Sequence, residues 1–98
     1  MRYAARKDAN HNVIAEYLQR NGWSVFDLSA YGRNLPDLLV ARAGFTALVE
    51  IKDGDKSPSK RRLSAGQREF IEGWQGAVIV GETPEQTLAD LNRARNAL

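Results

Sequence analysis

One stretch limits what this chain can fold into more than any other: Pro36 to Lys52, P-D-L-L-V-A-R-A-G-F-T-A-L-V-E-I-K. Two apolar runs, Leu38–Val40 and Ala47–Ile51, flank a break at Ala43-Gly44, the pattern of a β-hairpin with strands buried on both faces. With Ala43-Gly44 as a two-residue turn, Arg42 pairs with Phe45, Leu39 with Leu48, and Asp37 with Glu50. Opposed residues of an antiparallel pair share a face, and residues two apart stay on it. Asp37, Glu50 and Lys52 then project together at the open end of the hairpin. Two carboxylates facing each other in an apolar hairpin repel, and desolvation adds to the cost. A divalent cation between them turns that cost into a ligand set. The inference depends on register: a four-residue loop preserves it, whereas a three- or five-residue loop sends Glu50 to the other face.

The flanking sequence predicts the remaining elements. A first helix starts near Asp8, an N-cap residue, and stops at Asn21-Gly22, with Val13, Ile14, Tyr17 and Leu18 as its apolar stripe. Asn10 falls inside that stripe, His11 at its edge, and Glu16 on the solvent face. Trp23 to Leu28 reads as a strand centred on Val25 and Phe26, and Ser29 to Leu35 as the loop entering Asp37. Asp53 to Arg62 reads as a polar loop. Ser64-Ala65-Gly66-Gln67 is a capping box opening a second helix, whose inward face is Gln67, Phe70, Ile71 and Trp74. Ala77 to Val80 reads as another buried strand. Thr83-Pro84-Glu85-Gln86 caps a last helix that turns Leu88 and Leu91 inward. The predicted order is α-β-β-β-α-β-α, an α/β domain with a mixed sheet flanked by helices, and residues 1–98 form one domain.

Pro36-Asp37, a gap, and then Glu50-Ile51-Lys52 resembles the signature of the PD-(D/E)XK nucleases. Leu63-Ser64 and Gln67 narrow the likeness to the VRR-NUC and Holliday-junction-resolvase-like branch, in its small phage-type stand-alone form. The likeness runs from about Asp8 to Gly81. It implies a restriction-endonuclease-like fold and a metal-dependent DNA endonuclease, selective for branched DNA or Holliday junctions and working as a homodimer. Mg²⁺ (or Mn²⁺) is then held by Asp37, Glu50 and the backbone carbonyl of Ile51, with Lys52 orienting the attacking water or stabilising developing charge. Gln67 faces the active site in the family, although the capping box alone accounts for it. Related nucleases often carry a helix glutamate that reaches the metal through water. The matching position here is Val13, so Asn10 or His11, just before it, is the candidate to supply that contact.

Each of these residues also has a plainer reading. Asp37 can be a solvated strand-entry residue, Glu50 can pair with Lys52 or an arginine, and a charge run is usually a solvated loop. Beside a phosphodiester site, Lys56, Lys60, Arg61 and Arg62 are expected to contact phosphates. No base-reading motif, aromatic stacking pair or zinc spacing accompanies them, so the expected readout is of backbone and shape. The rival function is a non-catalytic nucleic-acid-binding module that retains the nuclease fold. A helix-turn-helix repressor does not suit a chain whose longer helices are separated by the hairpin. The absence of cysteine excludes disulfides and thiolate metal sites and fits a reducing cytoplasm, bacterial or phage-infected. No apolar run approaches the ~18 residues of a membrane span, and the basic start, Met1 to Lys7, is not followed by a signal-peptide core.

Overall fold

At the tip of the hairpin, Ala43 and Gly44 both adopt positive φ, 51° and 83°, as a type I′ turn requires. The turn joins β2 (Leu38–Arg42) to β3 (Phe45–Ile51) in the expected register, Arg42 against Phe45 and Leu39 against Leu48. The computed structural model describes residues 9–98, apart from the Lys60 side chain; the expected Asp8 cap and the basic start lie outside the described residues. Before the hairpin come α1 (His11–Arg20), β1 (Ser24–Asp27) and a 3-10 turn at Ser29–Tyr31. After it come α2 (Pro58–Arg61), α3 (Ala65–Gly73), β4 (Ala77–Gly81) and α4 (Pro84–Asn96). The strands form one mixed sheet in the order β1-β2-β3-β4, antiparallel except for the parallel β3–β4 pair. The described residues thus make a single α/β domain.

The core lies on one face of this sheet. Leu38, Val40, Ala47, Val49 and Ile51 pack there against Ile14 and Leu18 of α1, Trp23, and Leu91 of α4. The pairs Leu38–Val49 and Val40–Ala47 sit directly opposite each other, so alternation delivers all of them to one side. Arg42 Nη1 donates to the Asn21 carbonyl and so ties the end of α1 to the base of the turn.

Several expectations change at this level. α1 begins at His11, and its buried stripe is His11, Ile14 and Leu18, while Val13 is 53 % exposed. The helix is rotated to bury the histidine, which has a partner on β1, and Val13 turns outward. β1 is shorter than expected, and Phe26 is exposed because it lies opposite Leu39, itself partly exposed, on the face away from the core. Burial on both faces therefore holds for Ala47–Ile51 of β3 but not for β2. The loop expected from Asp53 to Arg62 contains α2, with Pro58 at its first turn. α3 has its capping box but no buried residue; Phe70 stacks on Trp74 at 5.4 Å between ring centroids, and Trp74 stays half-exposed.

Candidate active site

The hairpin ladder departs from expectation one rung beyond Leu38. The Asp37 amide donates to the Val49 carbonyl at 2.9 Å, so Asp37 and Leu38 both address Val49, the arrangement of a β-bulge. Asp37 therefore does not stand directly opposite Glu50. The next regular rung would pair residue 36 with Ile51, and Pro36 has no amide hydrogen to offer. The Asp37 carboxylate fills that rung instead: Oδ2 accepts from the Ile51 amide at 2.8 Å. Its other oxygen, Oδ1, lies 3.9 Å from His11 Nδ1.

Glu50, near the end of β3, is 4 % exposed. Its Oε2 accepts from Gln67 Nε2 at 3.0 Å, and Lys52 Nζ lies 3.8 Å from the same oxygen. Lys52 Nζ donates at 2.9 Å to Gln67 Oε1, which also receives the Ser64 amide at 2.9 Å. The two expected readings of Gln67 are thus one arrangement. Its carbonyl closes the α3 capping box while its amide group faces Glu50. The plainer reading of Glu50, pairing with Lys52, is present as well.

The start of α1 meets the other side of this network. Asn10 Nδ2 donates to the carbonyls of Lys52, at 3.0 Å, and Glu82, at 2.8 Å, and so clips the ends of β3 and β4 to the helix. Asn10 makes no side-chain cap for α1, and its Oδ1 is buried with no hydrogen-bond partner among the described residues. His11 is 2 % exposed, with Nε2 3.1 Å from Asp27 Oδ2. Asp27 Oδ1 accepts from the Ser29 amide and hydroxyl at 2.8 and 2.6 Å. Sequence reasoning passed over Asp27. Its available signal was an aspartate two residues before a serine at a strand end, which points to a turn and not to a contact with α1.

The basic residues do not act as one group. Lys56 and Arg62 are exposed, and the Lys60 side chain lies outside the described residues. Arg61 is committed to an ion pair, Nη1 to Glu82 Oε1 at 3.2 Å, with its side chain only 28 % exposed. The pair makes Arg61 a strut between α2 and the residue that follows β4.

Asp37 and Glu50 offer carboxylate oxygens, the donor type a hard divalent cation takes, and among the described residues a buried imidazole nitrogen, His11 Nδ1, has no hydrogen-bond partner. Among the described residues, no three His, Asp or Glu side chains gather into a ligand group. A cation held here keeps waters or phosphate oxygens in its remaining positions, as Mg²⁺ commonly does. No helix among the described residues is long and apolar enough to cross a membrane. No protein-family model, curated protein or solved structure matches the chain.

Proposed function

We propose that this chain is a metal-dependent endonuclease that hydrolyses DNA phosphodiesters, with a restriction-endonuclease-like fold of the small VRR-NUC kind. The carrying observation is Glu50, a carboxylate buried at 4 % exposure in an apolar strand and held by Gln67 and Lys52. Removing a carboxylate from water costs several kcal/mol, and natural proteins accept that cost mainly where the charge is matched or used. Asp37, Glu50 and the Ile51 carbonyl are the groups that would hold Mg²⁺ or Mn²⁺. When bound, such a cation lowers the pKa of a water and polarises a phosphate oxygen.

The chain's own residues carry the rest. The Ile51 amide fixes one oxygen of Asp37, and the other lies 3.9 Å from His11 Nδ1. Gln67 holds the Lys52 ammonium at 2.9 Å and Glu50 at 3.0 Å, so neither side chain must reorganise when a phosphodiester arrives. Lys52 donates hydrogen bonds to the attacking water or to the phosphoryl oxygens on which negative charge develops. Lys56 and Arg62 position the DNA backbone. Branched DNA as substrate, a homodimer that cuts both strands and a cytoplasmic setting complete the reading.

A second reading draws on the same geometry. Lys52 and Gln67 already address Glu50 Oε2, and if that pairing persists with DNA bound, the domain is a non-catalytic nucleic-acid-binding module. Incubating the chain with junctions, flaps, nicked and plain duplexes in Mg²⁺ or Mn²⁺ separates the two. Cation-dependent cleavage of any of them, abolished by chelation, supports the enzyme. Binding without cleavage across the panel supports the module.

A further inference from the structure

The only histidine of the chain is buried, and its environment dictates its tautomer. An ionised carboxylate accepts hydrogen bonds and cannot donate them, so the 3.1 Å contact with Asp27 Oδ2 places a hydrogen on His11 Nε2. In the neutral ring, Nδ1 then carries a lone pair. That nitrogen is buried and has no hydrogen-bond partner among the described residues, a costly condition for a group in the interior. Asp37 Oδ1, itself an electron-pair donor, lies 3.9 Å from it. A divalent ion about 2.1 Å from each atom needs them no more than about 4.2 Å apart. The observed separation is within that reach. Histidines that bind metals characteristically donate the other ring N–H to a carboxylate, which fixes the ring and raises its basicity. Asp27 stands in that relation to His11, braced in turn by Ser29. The Asp37 side chain is 23 % exposed, so the solvent side of the pair is the carboxylate, with His11 behind it.

We propose that His11 Nδ1 is a direct cation ligand alongside Asp37, with Asp27 as its positioning residue. This rests on the reading of Asp37 as a metal ligand. It adds a nitrogen to a site that Asp37, Glu50 and a carbonyl alone would make entirely of oxygen. Imidazole suits transition metals, whereas Mg²⁺ takes oxygen ligands. The site therefore favours Mn²⁺ over Mg²⁺.

The test uses the full chain without DNA and needs no activity. Because the chain has one histidine, ¹⁵N-histidine labelling gives a spectrum containing His11 alone. Adding Zn²⁺ as a diamagnetic probe should move the Nδ1 resonance far more than Nε2, and Mn²⁺ should broaden the ring signals. By calorimetry, Asp27→Asn should weaken Mn²⁺ binding about tenfold or more while leaving a folded chain. His11→Gln, which offers oxygen in place of nitrogen, should narrow the Mn²⁺-over-Mg²⁺ preference. If Mn²⁺ binds, Glu50→Gln or Asp37→Asn removes it, and His11 does not respond, the proposal is overturned and the metal site stands. If the wild-type chain binds no divalent ion, both fall together.

Discussion

Gln67 and Lys52 both address the Glu50 carboxylate, and that shapes what its replacement does. Glu50→Gln should abolish cleavage, as should Asp37→Asn, with both variants remaining folded by circular dichroism. Had the two carboxylates faced each other, neutralising one would have relieved repulsion and raised stability. With Glu50 instead matched by Lys52, Glu50→Gln should lower stability by about 1–3 kcal/mol, the worth of a hydrogen bond to a charged group. A urea titration checks the sign. Lys52→Ala should reduce turnover by about 100-fold or more while DNA affinity changes far less, because a preorganised donor acts on the transition state. Equal losses in binding and turnover would make Lys52 a phosphate clamp instead.

Among the elements, the hairpin turn is under-optimised. Ala43 adopts φ 51°, a left-handed conformation that costs an L-residue with a Cβ about 1–2 kcal/mol, and asparagine tolerates it better. Ala43→Asn makes the turn Asn-Gly and should raise the denaturation midpoint without touching the site. The start of α3 should behave in the opposite way. Ser64→Ala removes one cap and should cost about 1 kcal/mol. Gln67→Ala removes the reciprocal cap and both contacts to Glu50 and Lys52, so it should cost more than Ser64→Ala and also impair cleavage. On α4, the Asp90 carboxyl is held below its ordinary range, first by the Gln86 hydrogen bond and then by Arg93. A depressed carboxyl stabilises the fold above its unfolded pKa of about 3.9, and that contribution is lost as pH falls through the folded value. Asp90→Asn should therefore remove part of the acid-side decline in stability.

For the molecule as a whole, the proposed function assigns the hold on DNA to the exposed cations. Each phosphate neutralised by Lys or Arg contributes about −0.9 to the slope of log K against log salt on duplex DNA. Lys56 and Arg62 are free of the ion pair that occupies Arg61, so replacing both with alanine should flatten the slope by up to about 1.8 per protomer. Arg61→Ala should leave the slope nearly unchanged and loosen the contact between α2 and Glu82. A slope equally insensitive to all three residues would remove this surface from the DNA interface.

What the sequence determined by itself was whatever follows from short-range rules. Ala43-Gly44 between two apolar runs set the turn and the register down to Leu38 against Val49. Ser64 with Gln67 and Thr83 with Gln86 set the starts of α3 and α4, since a capping box is complete within four residues. Tertiary structure decided the face and the partner. Pro36 ends the ladder, but only the folded hairpin reveals that the Asp37 carboxylate takes the vacant rung on Ile51. Helical periodicity put Val13 in the apolar stripe and His11 at its edge, and burial went to His11 because β1 brings Asp27 within hydrogen-bond reach. Hydrophobicity could not tell Phe26, Leu39 and Trp74 from core residues, because exposure depends on which sheet face the helices cover. Such outcomes join residues far apart in the chain, and no local pattern encodes them.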